Sequence, residues 1–297
     1  MHRDTKLGVH LPQFGPAATP DGLIAVARAA EAAGLSSLWV GDHIAFPMSG
    51  DAGYPYPAGG VPMGPEDGWL EAVATLAFAA AATETITLGT SVIVAPMRHP
   101  LLISKEIATL DVLCGGRLVC GVGFGWWRAE FEAVGAQFER RISRFDEQIE
   151  ILKRSWRHGV TEYDGAFYAF DRVACRPRPV QAGGPPVWIC GMSEATKRRA
   201  ARYGDGWHGI TSDPDELAAA RRDVLDMASD LGRDPAGIST STSMFMAPEP
   251  ARAAEEVAAI ASTGVDHLVI SAWWADTVQE TCSRLEAFAE ATLPLVR

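Results

Sequence analysis

Three short stretches place chemistry-bearing or ligand-admitting residues side by side. Gly41-Asp42-His43 closes an aromatic, β-branched run. Histidine exchanges a proton near neutral pH, and an adjacent carboxylate can fix its surroundings. The same pair also fits a helix-capping Asp beside an ordinary loop His. Gly121-Val122-Gly123-Phe124-Gly125-Trp126-Trp127 alternates glycine with apolar residues. Such glycines let a ligand reach the backbone with no Cβ in the way, or let neighbouring strands pack closely. The spacing is not GxGxxG, so it is weak as a dinucleotide fingerprint. Cys190-Gly191-Met192-Ser193 precedes EATKRRAARYG. Ser193 suits a helix N-cap, and the free N–H groups behind it suit an anion such as phosphate. Lys197, Arg198 and Arg199, one turn further, include at least part of a solvated face. Ser271-Ala272-Trp273-Trp274 repeats the tryptophan doublet. Two doublets imply an aromatic pocket, with one member of each packed under a helix.

Other chemistries lack their residues. There is no HxH, HExxH, GxSxG, P-loop or CxxC spacing among the seven histidines and five cysteines. No metal is expected. A glycine-lined pocket with an anion-binding helix end and no built-in nucleophile points to an organic cofactor that carries the reaction.

These residues all follow short β-rich runs. Strands are expected at 7–11, 37–41, 86–94, 117–122, 187–190, 206–210, 238–245 and 267–271. Helical stretches follow near 20–33, 68–83, 100–113, 143–157, 193–203, 213–230, 250–262 and 276–290. Strand-then-helix, eight times over, predicts an α/β chain folded as a (β/α)8 TIM barrel. The 297 residues suit one such domain, which needs about 250. An open doubly wound sheet is the runner-up, but no linker to a second domain is visible. Pro20-Asp21 and Asp213-Pro214 mark helix starts, and Gly34, Gly115 and Gly264 stand where left-handed C-caps fall. In a barrel the chemistry sits at the carboxyl ends of the strands, where the motifs above lie.

Two insertions break the rhythm. Residues 44–67, after the second strand, are rich in Gly and Pro and form either a lid or an idle loop. Residues 160–186, before the fifth, carry TEYDGAFYAF, a hairpin with Asp164-Gly165 at its turn. The net charge of −11 repels nucleic-acid phosphate. The apolar stretch 72–83 is shorter than the ~20 residues a membrane helix needs. MHRDTKLGVHLPQFG has no apolar core of a signal peptide, and the five unpaired cysteines read as reduced thiols, so a cytoplasmic place is expected.

The run PMRHPLLISKEIATLDVLCGGRLVCGVGFGWWRAEF, from Pro96 to Phe131, resembles the luciferase-like monooxygenase superfamily, and within it the coenzyme F420-dependent oxidoreductases. LPQFG, SLWVGDH, ITLGTSV and GDGW fall in the same order, so the resemblance spans essentially the whole chain. It implies a barrel that binds F420 or FMN, acts on a small molecule and forms a homodimer. It makes His43 the proton-handling catalytic residue. It implies that Ser91-Val92 forms a strand-three bulge, often a non-prolyl cis peptide, behind the cofactor ring. Phe124 and Gly125 become strand-four contacts, and Gly191, Met192 and Ser193 the phosphate backbone. Asp42, Gly123 and Cys190, beside these, complete the expected cofactor set. Phe14, Trp126, Trp127, Trp273 and Trp274 are the expected substrate pocket. Trp126 stands where some relatives that oxidise sugar phosphates carry a glutamate, and their basic cluster is missing. An uncharged or aromatic substrate is therefore expected, with hydride transfer to or from F420 as the activity. Oxygen activation on FMN is the alternative, and a binding protein without catalysis a third.

Overall fold

The computed structural model describes residues 4–48, 66, 68–245, 249–271 and 275–296. Most of the 44–67 insertion, together with Trp273 and Trp274, lies outside them.

Eight parallel strands close into a ring. In chain order they are β1 (Lys6–His10), β2 (Ser37–Val40), β3 (Thr87–Thr90), β5 (Leu118–Gly123), β8 (Val187–Cys190), β9 (Gly206–Ile210), β10 (Ser239–Phe245) and β11 (His267–Ser271). A two-residue β4 (Ile93–Val94) continues β3 beyond Ser91-Val92, whose peptide bond is cis. Closure comes from β1 pairing with β11 and β3 with β5. The expected TIM barrel is therefore the fold, with strand boundaries within about two residues of those read from the sequence.

The outer ring is α1 (Pro20–Ala32), α2 (Ala72–Ala82), α3 (Pro100–Leu113), α5 (Arg141–His158), α6 (Glu194–Tyr203), α7 (Pro214–Asp230), α8 (Pro250–Ala261) and α9 (Val278–Thr292). Their starts follow the expected punctuation. Asp213 accepts from the N–H groups of Asp215 and Glu216, and Thr19 caps the helix that Pro20 opens. Gly34, Gly115 and Gly264 have φ of 83°, 65° and 75°, which matches their C-cap assignment. One short helix, α4 (Arg128–Ala133), was not anticipated, because six residues are too few to show a period. The hairpin before β8 is β6 (Val160–Asp164) with β7 (Ala169–Ala174), and Asp164 pairs with Ala169. Glu147 on α5 accepts from the N–H groups of Ala166, Phe167 and Tyr168 and so pins the turn.

Barrel interiors are usually filled by layers of branched aliphatics. Here the lower layer holds two indoles, Trp39 and Trp188, with ring centroids 5.3 Å apart. Glycines on neighbouring strands make the room. A Cβ on Gly89 would stand 2.4 Å from Trp39, and one on Gly206 2.4 Å from Trp188. Above the indoles comes a polar layer of Ser91, His208 and Ser241, and above that an open cavity. The aliphatic core lies instead between the strands' outer faces and the helices.

Candidate active site at the carboxyl ends of the strands

A cavity of about 510 Å³ opens at the carboxyl ends of the strands. It gathers His43, Asp42, Ser91, Val92, Gly123, Phe124, Gly125, Trp126, Trp127, Cys190, Gly191, Met192 and Ser193 from β2, the β3–β4 bulge, β5 and β8. Phe14 does not line it. Its ring stacks on Trp69, at 5.2 Å and 14°, and Trp69 forms the wall. Trp273 and Trp274 fall outside the described residues.

His43 leaves β2 with its ring inside an aromatic frame. Phe46, Trp69, Trp126 and Trp127 have centroids 4.8, 5.5, 6.3 and 6.1 Å from it. Its Nδ1 lies 2.9 Å from Oε2 of Glu130. Glu130 projects from α4, is 2% exposed, and accepts with Oε1 from the N–H groups of Ile44 (2.7 Å) and Ala45 (3.3 Å). With Oε1 occupied by donors, Oε2 is left as an acceptor, so Nδ1 carries the hydrogen and Nε2 presents a lone pair. Nε2 has no protein partner among the described residues. Glu130 was missed in the sequence, although WWRAEF was singled out; only its burial separates it from the exposed Glu132 two residues on.

Asp42 is different. Both oxygens meet Arg98, at 2.6 and 2.7 Å, and Oδ2 also takes the Val94 N–H at 2.9 Å. Burial alone would lower the Arg98 guanidinium, but hydrogen bonding and charge from Asp42 outweigh it and the net shift is upward. Asp42 therefore braces the β3–β4 bulge against β2. Its three bonds all go to protein donors, so this bracing is the role the structure shows for Asp42, which was expected as a cofactor contact and also lines the cavity.

The alternating glycines serve the same bulge. A Cβ on Gly121 would lie 1.8 Å from the Thr90 carbonyl oxygen, and one on Gly123 2.9 Å from Val92. One on Gly125 would lie 2.6 Å from Val94 and 2.7 Å from Phe131. Thr90, Val92 and Val94 pass over the three glycines in order, so close packing of β5 against the bulge is their demonstrable use. Gly125 also has φ of 71°, where a side chain is strained. A valine there disturbs the protein itself before any ligand arrives.

At the β8 end, Gly191 turns with φ of 126° and α6 starts behind it. Ser193 caps the helix through its Oγ, which accepts from Thr196 N at 3.2 Å. The N–H groups of Met192, Ser193, Glu194 and Ala195 find no acceptor among the described residues. Arg141, at the start of α5, lines the same cavity, donates Nε to the Gly125 carbonyl at 3.0 Å and lies over the Phe138 ring at 3.7 Å. Burial, then the charge of Arg128, holds its guanidinium below the usual value. A half-buried cation with no carboxylate pair among the described residues, beside unsatisfied N–H groups, is a donor set suited to phosphate. Two indole N–H groups, of Trp69 and Trp127, are likewise buried with no partner among the described residues. Cys190 lines the cavity too, but burial, then the charge of Cys120, pushes its thiol well up, so it is inert.

Among the described residues, no helix is long and apolar enough to cross a membrane. The sequence profile described as luciferase-like monooxygenase matches residues 5–292. A Mycobacterium tuberculosis protein of uncharacterized function is 36% identical over 195 residues, 65% of this chain and 67% of that one. An FMNH2-dependent dimethylsulfone monooxygenase of Pseudomonas putida is 31% identical over 150 residues, 47% of this chain and 41% of that one. Two solved structures share the fold. The coenzyme F420-dependent tetrahydromethanopterin reductase of Methanopyrus kandleri superposes with a TM-score of 0.79 at 16% identity, covering 99% of this chain and 100% of that one. An F420-dependent secondary alcohol dehydrogenase, solved with an F420-acetone adduct, gives 0.79 at 19% identity over 99% of each chain. With the profile matched from β1 to α9, the chain belongs to the luciferase-like monooxygenase family of oxidoreductases.

Proposed function

We propose that this protein transfers a hydride between coenzyme F420 and a small uncharged or aromatic organic substrate. The observation that carries this reading is His43, held by Glu130 through Nδ1 with Nε2 left bare beside the cavity. The bound deazaflavin ring supplies the hydride chemistry. When an alcohol is oxidised, the carbon-bound hydrogen leaves with its electron pair, and the hydroxyl proton goes to His43 Nε2 as the carbonyl forms. In the reverse direction His43 returns that proton. Glu130 stabilises the protonated imidazole meanwhile. Phe46, Trp69, Trp126 and Trp127 exclude water and favour a flat or apolar substrate, and among the described residues no lysine lines the cavity to attract a substrate phosphate.

The free N–H groups at 192–195 and Arg141 would hold the cofactor phosphate. One guanidinium, with Glu216 also lining the cavity, suits a singly charged phosphodiester, as in F420, better than the doubly charged monoester of FMN. The second reading, an FMN-dependent monooxygenase, is favoured by the similarity to the dimethylsulfone enzyme. Equilibrium titration of cofactor-free protein with F420 and with FMN, plus the mass and absorbance of cofactor released from purified protein, decides between them. Tighter F420 binding is expected; tighter FMN binding moves the function to oxygen activation. A homodimer is part of the proposal. α2 has no charged residue, yet Phe78 on it and Leu102, Val112 and Leu113 on the adjacent α3 are exposed. A helix apolar all round calls for cover, and light scattering at micromolar concentration tests it.

A further inference from the structure

A second histidine lies beneath the cavity floor. His208, on β9, is fully buried and stacks on Trp39 at 5.5 Å and 11°. Each ring nitrogen meets one hydroxyl: Nε2 is 2.9 Å from Ser91 Oγ, and Nδ1 is 2.8 Å from Ser241 Oγ. Burial, then the charges of His10 and His267, pushes His208 down to about 3. It is neutral, so one nitrogen donates and the other accepts.

The two hydroxyls decide which. Ser241 is fully buried and meets no acceptor other than His208 among the described residues. If Nδ1 donated to Ser241, the Ser241 hydrogen would be stranded in the interior, which disfavours that tautomer by roughly tenfold or more. The other tautomer satisfies every buried group of the His208–Ser241 pair. Ser241 donates to Nδ1, and Nε2–H donates to Ser91 Oγ. Ser91 then has no acceptor in His208, and its hydrogen is left to the cavity that Ser91 lines.

We propose that His208 and Ser241 are positioning residues that hold the Ser91 hydroxyl as a hydrogen-bond donor into the cavity, toward the electron-accepting ring of the bound cofactor. The ring as acceptor rests on the function proposed above; the tautomer does not. A fixed donor favours the form of the ring that holds more electron density, which is the reduced one. Redox preference is thus tuned by a neutral relay rather than by a charged side chain.

Two measurements test this. Nitrogen-15 NMR of His208 in the cofactor-free protein should show Nε2 protonated and Nδ1 bare; the opposite tautomer overturns the proposal. The ratio of dissociation constants for reduced and oxidised F420 is the second readout. Ser91→Ala should weaken the reduced form relative to the oxidised by about tenfold. His208→Phe keeps a ring on Trp39 but releases Ser91, and should shift the ratio several-fold in the same direction. Unchanged ratios in both variants overturn the role of Ser91 as donor. If the wild-type protein binds neither form, the cofactor reading falls and the ring as acceptor with it, while the NMR result still decides the tautomer.

Discussion

Replacing Glu130 by glutamine should disable His43 without removing it. The glutamine is nearly the same size, so the packing around α4 is kept. Its single oxygen must serve Ile44 and Ala45, whose N–H groups point at the position of Oε1. The amide nitrogen then faces His43 Nδ1, where the carboxylate oxygen stood at 2.9 Å. Two donors cannot share that contact, so Nδ1 gives up its hydrogen and Nε2 takes it. The base that faced the cavity becomes a donor. To accept a proton, His43 would have to restore Nδ1–H against an amide. That forfeits a charge-assisted hydrogen bond, worth about 1.5–3 kcal/mol, and strands a buried donor at about 1–3 kcal/mol. The sum, about 2.5–6 kcal/mol, corresponds to a loss of roughly 10²–10⁴-fold in turnover.

The assay has a part that needs no substrate. Nitrogen-15 NMR should show His43 changing from Nδ1–H in the wild type to Nε2–H in Glu130→Gln. With an alcohol or ketone that the enzyme turns over, kcat should fall by the range above, and F420 affinity should stay within a few-fold. Glu130→Gln combined with His43→Ala should be no slower than His43→Ala alone, because Glu130 acts through the imidazole. Independent, multiplicative losses would refute that reasoning, as would an unchanged tautomer.

Asp42→Asn breaks a buried ion pair on one side and should cost about 3–5 kcal/mol of stability, read from urea unfolding; an effect confined to cofactor affinity would restore Asp42 as a ligand contact. Arg141→Gln should weaken F420 binding tenfold or more, with a smaller salt dependence than the wild type, and leave the melting temperature nearly unchanged. Burial pushes His10, His208 and His267 down to about 4, 3 and 4. Below about pH 6.5 the unfolded chain takes up protons that the folded chain refuses, so stability present at pH 7 is lost as pH falls toward 4. At pH 5 the loss is about 2 kcal/mol per histidine; a urea midpoint that does not fall between pH 7 and 5 contradicts their buried neutral state.

What the sequence disclosed, and what it withheld, divides along physical lines. β-branched runs and helix punctuation are local signals, so the eight strands, their helices and the caps at Asp213 and Ser193 were legible. A glycine announces only that a Cβ is unwelcome. Whether a ligand or another strand needs the space depends on a partner far along the chain, and for Gly121, Gly123 and Gly125 it is the β3–β4 bulge. The same holds for charge. Asp42 and Glu130 are both ordinary carboxylates in the sequence. One is engaged by Arg98, 56 residues on, and the other reaches back 87 residues to His43. His208 carried the weakest signal of all, a lone histidine between glycine and tryptophan in a strand. Its meaning comes from two serines, 117 residues before it and 33 after it, that only barrel closure brings to its two nitrogens. Histidine chemistry in this fold is therefore set by the partner of Nδ1. On the readings proposed above, a carboxylate at His43 makes Nε2 a base, and a buried hydroxyl at His208 makes Nε2 a donor. A substitution that exchanges those partners should exchange the roles before it alters the barrel.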